Sequence, residues 1–344
     1  MKDFKKGSVR KIVLGTSSAL LATLIAANGT GLANAAENQN HDNHQKMTQQ
    51  KSSKNKSNTQ NKAATNDSSN IFANKQLRKT SLALVCAAEH TYYDYGKGYT
   101  DKPENIKDER GLTAGLTGFT TNGDDMKEFI DQYNKINPNN PLSKYTNAIH
   151  KVSGSDSIKG LNGADKAWEE ASKNDRENMI KAQKRVIASD YMEKAEKYAE
   201  KDGLKSKLSR YIYFDAIVKH GPGRNKDAKV KDWSFGDLRA HAQDGGVKTP
   251  AQGGDEKAYL KNFVGKRYDA TNAENKYLKK QDPSFDSKNT TDRLRTQMEL
   301  LNDNNMDLKL PIKYKINANH YKTLTQEKID KLSDEDANFD GIWN

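Results

Sequence analysis

Two acidic residues of this 344-residue chain have neighbours that suit acid–base chemistry. Glu89 follows the apolar run 82–88, so its carboxyl group is expected at the edge of a hydrophobic surface, where desolvation disfavours the anion. That setting suits a general acid. Asp108 lies nineteen residues further on, at a turn, and Arg110 is near enough to keep its carboxylate ionised, which suits a general base.

A pair of carboxyl groups with opposite protonation is the pattern for hydrolysis of a glycosidic bond. One group protonates the leaving oxygen, while the other activates water or attacks the sugar. Pairs of acids are also common in soluble proteins. From spacing alone, solvated carboxylates at a helix end and at a turn therefore stay open as the alternative.

The elements that must position these groups are mostly helices. Apolar residues recur at helical spacing over 76–89, 175–201, 205–219 and 289–301. Strand-like sequence is confined to about 112–121, with one partner at 92–95 that is equally plausible as a loop. We predict a mainly α protein with a small β-sheet near the first acidic cluster.

The net charge of +11 is concentrated at the N-terminus. Residues 1–75 contain eleven basic and four acidic residues, a net charge of +7, which leaves +4 for residues 76–344. A nucleic-acid-binding fold should itself carry the basic patch, so no nucleic-acid partner is predicted. The single cysteine, Cys86, excludes a disulfide framework and a Cys-rich zinc site.

The first 35 residues have the layout of an export signal. Basic residues precede an apolar stretch from 12 to about 27, and Ala33-Asn34-Ala35 is a small-residue cleavage site. Gly, Ser and Thr interrupt the stretch and leave fewer than the ~20 apolar residues of a membrane span. We predict cleavage after Ala35, secretion to the extracellular medium and no stable membrane insertion afterwards.

Residues 36–75 are mostly Asn, Gln, Lys, Ser, Thr and His. They hold too little apolar surface to offset the entropy of ordering, so we predict a disordered, polar and basic arm. A solvated spacer is the favoured interpretation. The alternative is loose electrostatic adhesion to an anionic cell surface.

The C-terminal end contains half of a calcium-binding pattern. Residues 336–341 read DANFDG, but the bidentate Glu due at the twelfth position of such a loop would lie beyond Asn344. The coordination set is incomplete, so residues 321–344 are predicted to be an acidic, solvated tail with a turn at Gly341. No metal and no cofactor are predicted.

Longer segments resemble the chitosanases of glycoside hydrolase family 46. The first is Glu89 together with residues 108–115 (DERGLTAG), Gly118-Phe119 and Asp125. Further matches follow in order at residues 213–223 (YFDAIVKHGPG), 235–239 (FGDLR) and 249–260 (TPAQGGDEKAYL), with Arg267 after them. The resemblance covers roughly residues 76–314. It implies a two-lobed, lysozyme-like fold with the small sheet in the N-terminal lobe and a catalytic domain over 76–320.

The resemblance also implies an activity and a set of site residues. The activity is endo-acting hydrolysis of β-1,4-linked glucosamine in chitosan, with inversion at the anomeric carbon. Glu89 takes the place of the proton donor, Asp108 that of the base, and Thr113 that of a residue positioning the attacking water. The residues implied to support the base as a charge network are Arg110, Asp215, Arg239 and Arg267. The candidates for binding the amino sugar are Asp125, Glu256, His220 and Tyr191.

One departure from the family pattern affects the acid, because His90 stands where the family usually has Asn, Asp or Gln. A charged imidazole there would favour the ionised form of Glu89. Two alternatives to the chitosanase stay open: a glycosidase of partly deacetylated poly-N-acetylglucosamine, and a non-catalytic chitosan-binding surface protein. The chitosanase is expected to be a secreted monomer.

Overall fold

The computed structural model describes residues 68–105, 109–316 and 320–344. All of these belong to one compact unit. The predicted export signal, nearly all of the predicted arm and Asp108 lie outside the described residues.

Helices dominate the described part of the chain, which confirms the predicted mainly α class. They are α1 Lys75–His90, α2 Tyr95–Tyr99, α3 Asp124–Ile136, α4 Thr146–Val152, α5 Ala164–Asn174, α6 Arg176–Val186, α7 Glu193–Lys201, α8 Lys207–His220, α9 Phe235–His241, α10 Glu256–Gln281, α11 Asp292–Asn302 and α12 Gln326–Asp330. A π-helical turn, Ile187–Met192, joins α6 to α7. Single 3-10 turns lie at Ser143–Tyr145, Val230–Asp232, Asp244–Gly246 and Pro250–Gln252.

Helix α1 places Glu89 as the sequence predicts. Its N-terminus is capped by Asn74, whose side chain accepts a hydrogen bond from the Leu77 backbone N–H at 2.9 Å. Every residue from 77 to 87 is buried. The helix ends at His90, and the capping residue Thr91 takes a left-handed φ of 65°. Glu89 therefore lies in the last turn, just beyond the continuously buried stretch of the helix.

The small sheet forms within the predicted segment 112–121. Strand β1 (Thr113–Ala114) pairs antiparallel with β2 (Phe119–Thr120), with Thr113 opposite Thr120. Residues 92–95, predicted as a strand partner of this segment or as a loop, do not form a strand, because Tyr95 already begins α2. The segment needs no distant partner, since the turn at 115–118 folds it back on itself.

Helix α8 runs through the core. All residues from Leu208 to His220 are buried, as expected for a helix with neighbours on every side. It carries Asp215 and His220 into the interior. Helix α11 packs nearby, so that polar side chains on the two helices meet away from water.

The C-terminal segment departs from the sequence prediction. Strand β3 (Ile312–Ile316) pairs antiparallel with β4 (His320–Leu324), so the boundary drawn at residue 320 falls inside a hairpin. Beyond it, Ile329, Phe339 and Ile342 are buried. Residues 325–344 are thus a docked C-terminal strap and not a solvated tail.

Cationic side chains hold the C-terminal strap by its backbone. The donors are Arg78 to the Ala337 carbonyl, Lys79 to Leu332, Lys184 to Glu335 and Arg185 to Ile342. In the half calcium pattern, Asp336 instead forms a two-pronged ion pair with Arg176 at 2.7 and 3.0 Å. The turn at Gly341 is present, with φ of +67°. Among the described residues, no helix combines the length and apolar character needed to span a membrane.

Candidate active site

The Glu89 side chain is only 4 % exposed and is held by an arginine. Arg293 Nη2 donates to Glu89 Oε1 at 2.6 Å. The other oxygen, Oε2, faces the small sheet: a Cβ built on Gly118 would lie 3.5 Å from Oε2 and 3.5 Å from Thr113 Cγ2. The fold therefore brings Glu89 and Thr113 together, as the resemblance implies.

The turn before β1 depends on a glycine. Gly111 has φ of +75°, and a Cβ there would lie 2.2 Å from the Thr121 hydroxyl. The Thr113 hydroxyl that follows is buried and has no hydrogen-bond partner among the described residues. A buried hydroxyl without a partner is uncommon in native proteins. Asp108 lies in 106–108, outside the described residues, so its role as base stays a prediction.

A chain of charges runs from Glu89 into the core. The same Arg293 Nη2 lies 3.3 Å from Asp215 Oδ1. Arg267 Nη2 donates to Asp215 Oδ2 at 2.9 Å, and both of these side chains are fully buried. Burial opposes ionisation of Asp215, but Arg293 and Arg267 together hold its pKa below the usual range. The Glu89 carboxyl group is therefore anchored to a buried, charge-paired core.

Sequence reasoning missed Arg293, although the helix that carries it was predicted. Gln297, one turn further along α11, donates to Asp215 Oδ2 at 2.7 Å and was missed as well. A signal was present: Arg293, Gln297 and Leu300 recur at the spacing of one helix face. Polar residues on a face that also carries leucine can indicate a buried polar network.

The prediction that Arg239 belongs to this network is wrong. Arg239 Nε donates to Asp202 Oδ2 at 2.8 Å, and its guanidinium lies over the Tyr198 ring. The Tyr213 hydroxyl donates to the same Asp202 carboxylate at 2.6 Å. This is a separate cluster, because α9 presents Arg239 to the 202–204 turn and not to α11.

Two of the candidates for sugar binding, Asp125 and Tyr191, contact each other. The Tyr191 hydroxyl donates to Asp125 Oδ2 at 3.1 Å. Asp125 Oδ1 accepts the backbone N–H groups of Thr120 and Met126. Burial raises the pKa of Asp125 to about 6, against the opposing effect of these hydrogen bonds and of Arg110. A carboxylate fixed in this way can accept a hydrogen bond from an ammonium group.

The other two candidates for sugar binding have structural surroundings. Glu256 accepts the backbone N–H groups of Lys205 and Ser206 at 3.0–3.2 Å, together with the Ser206 hydroxyl. Its carboxylate therefore joins the start of α10 to the start of α8. His220 is 3 % exposed, and burial together with the positive charges of Arg267, Lys219 and Arg293 holds its pKa well below the usual range, so it is a buried residue and does not line a cleft.

His90 points away from Glu89. Its Nδ1 lies 2.9 Å from Asp101 Oδ2, and its Nε2 lies 3.0 Å from the Leu116 carbonyl oxygen. The ring also stacks on Tyr92, whose hydroxyl donates to Asp101. Any charge on this imidazole is therefore balanced first by Asp101.

The arrangement as a whole suits proton transfer to a bound polymer. A buried carboxyl group fixed through one oxygen, beside a short hairpin, is the kind of site that protonates a glycosidic oxygen in glycoside hydrolases. The described residues contain no cluster of three or more His, Cys, Asp or Glu side chains placed to hold a metal ion.

Comparison with known proteins identifies the family. The model of glycosyl hydrolase family 46 matches residues 83–312. A chitosanase of Nocardioides sp. (strain N106) is 36 % identical over 242 residues, which cover 70 % of this chain and 79 % of that protein. A chitosanase of Streptomyces sp. (strain N174) is 34 % identical over 71 % of this chain and 81 % of its own. The chain belongs to glycosyl hydrolase family 46, as its motifs predict.

Solved structures agree with this assignment. A family 46 chitosanase of Gynuella sunshinyii in complex with chitotetraose is 27 % identical, with a TM-score of 0.61 over 72 % of this chain and 97 % of that one. A mutant chitosanase of Bacillus subtilis MY002 complexed with six glucosamine units is also 27 % identical, with a TM-score of 0.61 over 73 % of this chain and 98 % of that one. The likeness confirms the predicted two-lobed, lysozyme-like fold.

Proposed function

We propose that the chain is a secreted, endo-acting chitosanase that inverts the anomeric carbon, with Glu89 as general acid and Asp108 as general base. The observation that carries the proposal is the setting of Glu89. Its Oε1 is fixed by Arg293, while no described residue hydrogen-bonds to Oε2, which faces Gly118 and Thr113. Oε2 is thus the oxygen that would donate a proton to the glycosidic oxygen.

The surroundings of Glu89 also suit the state that follows proton transfer. Once the proton has left, the carboxylate gains a full negative charge 2.6 Å from the Arg293 guanidinium. This charge-assisted hydrogen bond strengthens as the charge develops. Arg293 therefore favours the leaving-group step, while Asp215 keeps the guanidinium in place.

Chitosan as substrate agrees with the relatives named above and with Asp125. A glucosamine polymer carries ammonium groups, and a carboxylate that already accepts three hydrogen bonds is rigid enough to select one. For Asp108 we propose the role of base, with the Thr113 hydroxyl holding the attacking water. In an inverting enzyme the two carboxyl groups lie ~6.5–9.5 Å apart to admit that water.

The first experiment uses the protein without residues 1–35 and highly deacetylated chitosan. A fast fall in viscosity with α-anomers among the fresh products supports endo action and inversion. Fresh β-anomers would instead make Asp108 a nucleophile. A folded protein that binds chitosan without a fall in viscosity would favour the non-catalytic alternative.

Glu89→Gln and Asp108→Asn test the two roles. Each variant should lose most turnover, a fall of roughly 100-fold or more, because one proton transfer is removed while the volume is kept. Glu104→Gln, an acid on the segment paired with β1, is the matched control and should keep the wild-type rate. Wild-type turnover in either site variant would remove that residue from the mechanism.

Secretion is part of the proposal and rests on the first 35 residues. Mass spectrometry of the protein from the culture medium of its host should find Ala36 as the first residue. An N-terminus at Met1 in the cell fraction would contradict the cleavage.

A further inference from the structure

Two segments of the chain hold the excess positive charge of residues 76–344. The loop 224–232 (RNKDAKVKD) carries a net charge of +2, and the end of α10, residues 276–280 (KYLKK), carries +3. Residues 76–344 as a whole carry only +4. The rest of this region is therefore close to neutral, and its positive charge is concentrated in these two places.

The fold brings the two segments into contact. The turn Val230–Asp232 packs against α10, and the Lys231 ammonium group lies 4.3 Å from the centroid of the Tyr277 ring. Lys276 and Lys280 are one turn apart on α10, so they share the helix face beside Tyr277. Together these elements form a basic patch, which consists of Lys229, Lys231, Lys276, Lys279 and Lys280.

Most of the basic patch has no counter-charge. Lys231 contacts Asp232 at 2.5 Å, whereas the other four lysines are exposed and form no ion pair with a described residue. The exposed acids next to the patch in sequence are Asp227 and Asp282. Lysines in the last turn of a helix stabilise the helix dipole, but Lys229 lies outside any helix. The helix dipole therefore does not account for the whole patch.

The chemistry of the basic patch favours a polyanion. A positive field repels chitosan, which is a polycation, so the patch is unsuited to the substrate of the active site. All five cations are lysines, whose ammonium groups are compact point charges without the planar fork of arginine. Lysine binds phosphate groups in this way. Separate point charges suit a flexible polymer that carries one phosphate in each repeat.

We propose that the basic patch binds an anionic polyol-phosphate polymer on the outside of a cell. The ammonium groups donate hydrogen bonds to phosphodiester oxygens, and the release of counter-ions from the polymer drives association. The inference depends on the secretion proposed above but not on the chitosanase activity. It gives the folded part of the chain a means of staying at a cell surface that is independent of the basic arm.

Replacing the three patch lysines of α10 tests the proposal. The protein without residues 1–35 is titrated with poly(glycerol phosphate) in a calorimeter at several salt concentrations. The triple variant Lys276→Gln, Lys279→Gln, Lys280→Gln should bind roughly tenfold more weakly or worse at low salt. The slope of log K against log salt concentration should become shallower by about 2, because each phosphate contact contributes about 0.7–0.9.

The matched control changes three exposed lysines elsewhere, in the triple variant Lys159→Gln, Lys166→Gln, Lys173→Gln. Its net charge falls by the same amount as that of the patch variant, so it should keep the wild-type affinity and slope within about twofold if the patch is the site. Equal losses in the two triple variants would assign binding to net charge and overturn the proposal. A folded patch variant with wild-type affinity would overturn it as well.

Two further polymers test the class of partner. Polyglutamate carries carboxylates, and oligothymidylate carries the phosphodiesters of a nucleic acid. If the wild type binds either of these more tightly than poly(glycerol phosphate), the proposed partner is wrong.

Hydrolysis of soluble chitosan separates this inference from the proposed function. The patch variant should retain at least the wild-type rate, and a loss of turnover would place these lysines in the substrate cleft and contradict the proposal. A protein that binds the polymer through the patch but cleaves no chitosan would overturn the proposed function alone. A protein that cleaves chitosan but does not bind the polymer would overturn this inference alone.

Discussion

At the scale of single residues, Arg293 links the proposed general acid to the buried core. Its guanidinium is the shared partner of Glu89 and of the fully buried Asp215. A residue in that position cannot be changed without leaving two carboxylates short of a counter-charge.

Arg293→Met should therefore lower both turnover and the free energy of unfolding. Breaking a buried ion pair by removing one partner costs about 3–5 kcal/mol. Arg295→Met, two residues along α11, removes a 40 % exposed guanidinium that lies 4.0 Å from Asp292, and it should change stability by less than about 0.5 kcal/mol. Urea titration measures the free energy of unfolding of both variants. Equal stability of the two variants would contradict the charge network of Glu89, Arg293 and Asp215.

Asp125 gives a prediction about pH. Because burial raises its pKa to about 6, it is neutral below that pH and ionised above it. The ammonium groups of the polymer stay charged below pH 6. The attraction between polymer and site is therefore lost there because Asp125 becomes neutral. KM for chitosan should rise about tenfold as the pH falls through 6. This is the change in affinity expected when one charge-assisted hydrogen bond is lost.

Asp125→Asn is the control for that pH dependence. The variant should show a high KM that no longer changes across pH 6, because the titrating carboxyl group is gone. A wild-type KM that is flat across this range, or a variant that retains the dependence, would assign the effect to another group.

At the scale of elements, the C-terminal strap completes the fold. It covers α1 and α6 and gives backbone acceptors to the buried cations Arg78, Lys79 and Arg185, which adds to the hydrogen bonds that Arg78 and Arg185 make elsewhere. Phe339 anchors the strap, since it is 7 % exposed and packs edge-on against Phe72 with ring centroids 6.3 Å apart.

Phe339→Ala should thus destabilise the protein by about 3 kcal/mol, as expected for truncating a buried aromatic side chain. Trp343→Ala, four residues on, removes a larger ring that is 55 % exposed, and it should have a much smaller effect. Thermal unfolding of both variants checks this. A larger loss for Trp343→Ala would mean that the end of the strap, and not its middle, holds it in place.

At the scale of the whole molecule, charge and composition separate the N-terminal arm from the enzyme. Residues 36–67 are almost entirely polar, and composition of this kind does not support a packed core. We expect a protein that begins at residue 68 to hydrolyse soluble chitosan within about twofold of the rate of one that begins at 36. Steady-state rates on the same chitosan check this, and a large loss would give the arm a part in catalysis.

Much of the site follows from short stretches of sequence. The apolar run before Glu89 predicts a helix that ends at the edge of a hydrophobic surface, and residues 112–121 predict strand structure in a small sheet. Both depend on neighbours in the chain, through helical periodicity and through glycines such as Gly111 that a tight turn requires. The family motifs lie in these same local segments.

The tertiary structure decided what distant residues do to each other. Arg293 meets Glu89 across 204 positions of the chain, Arg239 pairs with Asp202 and not with Asp215, and an acidic C-terminus docks through its carbonyl groups. Ion pairs of this kind have no local signature, because any arginine can satisfy any carboxylate that the fold brings within reach. Sequence by itself determined the helices that carry Glu89, Asp215 and Arg293, the strand segment near Thr113 and the family. Packing decided how that strand is paired and which partners the buried charges take, since a buried charge takes the counter-charge that lies nearest in space.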